Sequence, residues 1–175
     1  MNASFVLGQI DFVSNAFGTT ATTMKNPTDV VYDSAQDRLY VADSENNRIL
    51  GFDLSSGIAN GMVADQVIGQ VDSFSAVDSN NLDGLSEPTG LGIDPGKYLF
   101  IASPNSSGTS LRVFDLATLP GAGATAAYAI PTGMTYDAAF DTVSKKLYVT
   151  SFLFATGVTV YDFSIPGNNP PVLTT

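Results

Sequence analysis

Pro27-Thr-Asp-Val-Val-Tyr-Asp33 is followed by Arg38-Leu-Tyr-Val-Ala-Asp43 and then by Ile49-Leu-Gly-Phe-Asp-Leu54. Each piece is a short run of β-branched, aromatic and aliphatic residues bounded by Asp, Ser, Asn or Gly, the pattern of strands joined by tight turns. The trio returns as Pro88-Thr-Gly-Leu-Gly-Ile-Asp94, Tyr98-Leu-Phe-Ile-Ala102 and Leu111-Arg-Val-Phe-Asp-Leu116. It returns again as Pro131-Thr-Gly-Met-Thr-Tyr-Asp137, Lys146-Leu-Tyr-Val-Thr150 and Val158-Thr-Val-Tyr-Asp-Phe163. A fourth element also repeats: Phe5-Val-Leu-Gly-Gln-Ile-Asp11 matches Gln66-Val-Ile-Gly-Gln-Val-Asp72, each at the same distance from its Pro-Thr strand. Alanine-rich Thr125–Ile130 fills that slot before Pro131. The unit is four antiparallel strands, and such a unit buries both faces only by stacking on its neighbours.

Pro-Thr-Asp-Val-Val-Tyr-Asp with Asp43-Ser-Glu-Asn46-Asn47-Arg48-Ile49 resembles the NHL repeat, and Val6-Leu-Gly-Gln9 followed by Asp11-Phe-Val-Ser-Asn15 is similar to its bacterial, often extracellular, version. The resemblance implies an all-β chain of β-propeller blades, four antiparallel strands each, of the six-bladed type. It also implies that Arg48 is a structural blade residue. The Asp…Asn-Asn-Arg motif is complete only in the first repeat, since Ser103 replaces Asp43 and neither later repeat keeps an Arg at the place of Arg48.

Composition agrees. Fifteen of the 17 acidic residues are Asp, and only four Lys accompany three Arg. Glu and Lys populate exposed helix faces whereas Asp belongs to turns, so no amphipathic helix is expected. The chain has no Cys and no His, which removes imidazole and thiolate metal sites and nucleophile–His triads. A net charge of −10 opposes binding to a phosphate backbone. No apolar run is long enough for a spanning helix, and Met1-Asn-Ala-Ser4 lacks the basic start of a secretory leader.

Residues 1–175 read as one propeller segment, with blade units at 27–72, 88–130 and 131–163, a leading strand at 4–11 that completes a blade, and a tail at 164–175. That makes three blades' worth, and rings typically close with 4–8. Either a second copy completes a six-bladed ring, strand 4–11 of one protomer finishing the last blade of the other, or the remaining blades lie in a longer chain. Tail residues Pro170-Pro-Val-Leu-Thr-Thr175 resemble the start of another outer strand.

Function is expected on loops, which vary while the blades hold them. The connections at 12–26 and 73–87 are long and share one face with the turn at 44–47. Binding candidates on that face are Glu45, Asn46, Asn47, Asp72, Asp78, Asn80, Asp83, Glu87 and Phe74. Phe12, Phe17, Phe74, Phe152 and Phe154 could stack on sugars; burial as loop anchors is the simpler expectation. Asp78, Asn80 and Asp83 faintly resemble a calcium loop, but Leu82 takes a ligand position; a turn with Leu82 and Leu85 as anchors is simpler. Asp33, Asp94 and Asp137, with Asp53, Asp115 and Asp162, recur in every blade as turn acceptors would. Asn105 and Asn2 match the glycosylation acceptor pattern.

The resulting expectation is a non-catalytic extracellular or cell-surface module from a prokaryote, needing no cofactor, that binds protein or glycan. A self-assembling surface subunit is one alternative. Part of a propeller lyase or hydrolase with catalytic residues elsewhere is another.

Overall fold

The computed structural model describes residues 2–79, 81–104, 111–119, 123–151 and 157–164. The strands are β1 (Pro27–Asp33), β2 (Arg38–Asp43), β3 (Arg48–Asp53), β4 (Gln66–Ile68), β5 (Gly90–Asp94), β6 (Tyr98–Ala102), β7 (Leu111–Asp115), β8 (Tyr128–Ile130), β9 (Thr135–Asp141), β10 (Lys146–Ser151) and β11 (Gly157–Asp162). They form three antiparallel sheets in sequential order: β1-β2-β3-β4, β5-β6-β7-β8 and β9-β10-β11. Among the described residues there is no α-helix, only a 3-10 turn at Ser44–Asn46. This is an all-β run of blades, a partial β-propeller.

The first strands of the blades lie against one another, β1 on β5 and β5 on β9. Alternation then sends each blade's two faces into successive joints. Tyr40, Ala42, Ile49 and Ile68 of the first blade meet Leu91, Leu99, Ile101 and Phe114 of the second. Phe100, Leu111, Val113 and Ile130 from the second blade's other face meet Ala138, Leu147, Val149 and Tyr161 of the third. Polar links repeat along the inner edge. Thr28 Oγ1 donates to the Pro88 carbonyl at 3.0 Å, and Thr89 Oγ1 to that of Tyr136 at 2.8 Å. Asp33 accepts from Gly96 N at 3.0 Å, and Asp94 receives Lys145 Nζ at 3.0 Å.

One expectation needs correction. The third inner strand is shifted by one four-residue step: it runs Thr135–Asp141, so Asp141, opposite Lys146, takes the place of Asp33 opposite Arg38 and Asp94 opposite Tyr98. Asp137 lies within the strand, opposite Thr150. Ending the strand at Asp137 would leave residues 138–145 as a loop and strand Ala138 and Phe140 outside the joint they now fill. Residues 4–11, expected to finish a blade beyond this chain, form no strand within it. The outer position of the first blade is occupied by β4, so no edge is free beside it. Instead Val6 N donates to Asn60 Oδ1 at 3.0 Å, and Leu7 packs on the outward face of the first blade. Of the tail, only Ser164 is among the described residues.

Close approach of inner strands fixes Gly90. A Cβ there would stand 2.6 Å from both Asp137 Cα and the Tyr136 carbonyl oxygen, main-chain atoms that cannot rotate away. Gly90→Ala is expected to destabilise by about 1–3 kcal/mol in urea unfolding, as overpacking does.

Candidate functional site

Two loops of one design stand on one face. Gly8 (φ 79°) and Gly69 (φ 86°) open them in the left-handed region. A Cβ would come within 2.9 Å of the Met24 side chain at the first and 2.5 Å of Leu85 at the second, so Met24 and Leu85 are equivalent plugs. Gln9 Nε2 donates to the Ala16 carbonyl at 3.1 Å, and Gln70 Nε2 to that of Val77 at 2.8 Å. Asp11 accepts from the main-chain nitrogens of Val13 (3.0 Å) and Ser14. Asp72 accepts from Phe74 N at 2.9 Å and Ser75 Oγ at 2.8 Å. Hydrogen bonds from Ser14 and Ser75 hold these two carboxyls below the ordinary carboxylate range.

Beneath the loops lies a buried polar frame from the 43–48 turn. The Arg48–Asp43 pair is fully buried, with Nε 2.7 Å from Oδ2. Asp43 also accepts from Lys25 N at 2.6 Å and Asn46 Nδ2 at 2.9 Å. Arg48 Nη2 donates to the carbonyls of Thr20 (2.9 Å) and Thr23 (3.0 Å) in one loop, and Nη1 to that of Ser73 in the other. Asn46 reaches the Gly18 carbonyl at 2.9 Å. Asn47, left-handed at φ 53°, donates to the Ala76 carbonyl at 3.1 Å and accepts from Glu87 N at 2.8 Å. Expected on the binding surface, Asn46 and Asn47 are instead buried struts.

What the loops display is apolar. Phe12 is 55% exposed, Phe17 73% and Phe74 72%, so these rings do not anchor the loops as expected; Met24, Leu85 and the polar frame do. Leu82 is likewise exposed, while Leu85 is fully buried as anticipated. Lys25 Nζ lies 5.6 Å above the Phe17 ring and 3.1 Å from Glu45 Oε2. Asp72, Asp78, Asp83 and Glu87 are exposed around the second loop. An open cavity of about 230 Å³ lies against the first, between Gln9, Ile10, Thr22, Thr23 and Gly61.

Asn80, Asn105, Phe152 and Phe154 lie outside the described residues; Asn2 is exposed. Among the described residues no three His, Cys, Asp or Glu side chains gather as metal ligands. Asp53, Asp115 and Asp162 accept from the main-chain nitrogens of Ser55, Ala117 and Ser164, and Asp33 from that of Ala35, all turn contacts. Asp137 instead accepts from Ala138 N within its strand. Sequence reasoning did not find Arg112, which is fully buried and donates from Nε to the Asn81 carbonyl at 3.2 Å, holding the second loop. Its signal was a lone cation inside the apolar run Leu111-Arg-Val-Phe114.

Residues 24–52, the segment containing β1, β2 and most of β3, match the model of the NHL repeat. No curated protein matches the sequence. Solved structures do match. The β-propeller domain of Myceliophteria thermophila Cps50 (Swd1) aligns with TM-score 0.53 and 16% identity over 85% of this chain and 39% of that one. Kuenenia stuttgartiensis hydrazine synthase aligns with TM-score 0.56 and 12% identity over 87% and 36%. A nidogen/laminin complex aligns with TM-score 0.54 and 16% identity over 87% and 49%. Identities this low show the fold alone. The chain spans between 36% and 49% of the length of these structures.

Proposed function

We propose that this NHL-repeat β-propeller segment is a non-catalytic, extracellular protein-binding module that docks its partner on the face of the two long loops. The carrying observation is the display of Phe12, Phe17 and Phe74 on loops strutted from beneath by Arg48, Asn46 and Asn47. A rigid loop that exposes aromatic rings has already lost the entropy that binding would otherwise cost. Exposed apolar patches rimmed by polar groups mark interaction sites, and aromatic residues are enriched at interface cores. The rim here is acidic, from Glu45, Asp72, Asp78, Asp83 and Glu87, which favours a partner with basic groups around an apolar centre. The likeness to a structure of a nidogen/laminin complex supports protein as the partner class.

Two features support the non-catalytic reading: carboxylates that repeat in each blade serve turns, and the chain has no His or Cys. The cysteine-free, Asp-, Ser-, Thr- and Asn-rich composition supports an extracellular, prokaryotic setting. Glycan is the second reading, because rings beside carboxylates suit sugar stacking.

The test compares the unsubstituted chain with Phe17→Ser/Phe74→Ser for binding to cell-surface proteins and to a glycan array. Binding should weaken about tenfold or more, the effect of losing roughly 1.4 kcal/mol at an interface. Stability should stay within about 0.5 kcal/mol, as for surface changes. Undiminished binding by the double variant would remove the loop face from consideration, and binding confined to glycans would replace protein with carbohydrate.

A further inference from the structure

Blade faces that are buried inside the array are partly open at its two ends, and the openings match: Met24, Leu7 and Met62 cover Val41, Leu50 and Phe52 of the first blade but leave its inner strand exposed. On the third blade, Tyr148 and Val158 occupy the places of Tyr40 and Ile49, yet Val158 is 59% exposed where Ile49 is 0%. On the first blade, Val30 and Tyr32 occupy the places of Leu91 and Ile93, yet Val30 is 52% exposed where Leu91 is 3%. The third blade thus presents the surface that the second blade receives from the first, and the first presents the surface that the second offers in return.

Strand count is complementary too. The third blade has only three strands among the described residues, with β11 at its edge. Meanwhile the loop 8–27 reproduces the loop 69–88 contact by contact: the positive-φ glycine over its plug, the Gln clamp and the Asp turn. In the second loop, the residues just before the glycine are β4, the outer strand of the preceding blade. By the same geometry Phe5-Val6-Leu7 is held in the outer-strand place of a blade that would precede the first. That segment brings a fourth strand without its blade; among the described residues β9–β11 is a blade without its fourth strand.

We infer that the occupant is a second copy of this chain: its β9–β11 blade packs on Val30 and Tyr32, and its β11 pairs with residues 5–7. The register follows from β3 and β4, where Ile49, Leu50 and Gly51 face Ile68, Val67 and Gln66. It places Leu7 opposite Val158, Val6 opposite Thr159 and Phe5 opposite Val160 of the partner copy. Reciprocal contacts close a two-fold ring of six blades, so association stops at two chains. Asp141 in each copy is then positioned to receive the partner copy's first-blade turn, as Asp33 and Asp94 receive the next turn along the chain. This inference goes beyond the loop-face reading and stands independently of it.

Light scattering on the unsubstituted chain at micromolar concentration should give twice the 18.3 kDa of one chain, constant on concentration. The absence of native Cys allows a direct register test. A mixture of Val6→Cys and Thr159→Cys chains should oxidise to a covalent dimer, since directly opposed strand residues fall within disulfide reach. Neither variant alone should do so. A monomeric mass would overturn the proposal and leave the open faces to blades from another polypeptide. So would a mass that keeps rising with concentration, or a Val6→Cys/Thr159→Cys double variant that cross-links within a monomer.

Discussion

Arg48→Ala lowers the unfolding free energy by about 3–5 kcal/mol, the cost of stripping one partner from a buried ion pair. Three losses combine. The Asp43 carboxylate, fully buried, keeps hydrogen bonds from Lys25 N and Asn46 Nδ2 but loses its countercharge. The carbonyls of Thr20, Thr23 and Ser73 lose their donors. The side chain itself leaves a void under both loops. Unfolding in guanidinium measures the first number, and limited proteolysis should show cleavage in 12–26 and 73–87 rising together. Replacing both members by apolar residues should cost much less than the single change, because no charge is then left buried. Arg38→Ala is the contrast: its Asp65 partner is half exposed, so water takes over the carboxylate once the mostly buried guanidinium is gone, and the loss should be clearly smaller than for Arg48. An Arg48→Ala chain within 1 kcal/mol of the parent would show that the frame does not hold the loops.

This frame explains which parts of the molecule were legible in the sequence. Blade strands were, because Leu39-Tyr-Val-Ala42 and Tyr98-Leu-Phe-Ile-Ala102 carry both the apolar runs and the turn residues that define them. The third inner strand was misplaced because Thr-Gly-Met-Thr-Tyr-Asp137 and Tyr-Asp-Ala-Ala-Phe-Asp141 both end on Asp. Only packing of Ala138 and Phe140 on the second blade chooses between them, a tertiary effect invisible to local pattern. Residues 4–11 kept the sequence of an outer strand but not its structure, since a strand needs a free edge beside it and β4 already fills the outer place of the first blade. Loop aromatics were misjudged for a related reason. Large apolar side chains are usually buried, and the sequence cannot show that Met24 and Leu85 already fill the sites under the glycines. Asn46 and Asn47 erred the other way, polar residues assigned to the surface although main-chain carbonyls awaited them inside.

The joint between the second and third blades is where a single apolar deletion should act most strongly. Phe100 is fully buried there; its ring stacks on Phe140 at 5.2 Å and meets Phe163 edge-on at 5.0 Å, with Tyr98 tilted at 6.2 Å. Phe100→Ala removes the ring that the other three surround, so the expected loss is about 3–5 kcal/mol. The loss should not spread evenly. Stability in stacked repeats is largely a sum of unit and neighbour terms, and among the described residues of one chain the third blade has one joint and three strands. Hydrogen exchange should therefore show β9–β11 opening well before β1–β4 in the variant, while the two regions differ less in the parent. Phe74→Ala deletes the same ring from the loop face, where it is 72% exposed, and should leave both stability and exchange nearly unchanged. Uniform acceleration of exchange across all three blades in Phe100→Ala would mean that they unfold as one unit, and that the joints are stronger than the blades they connect.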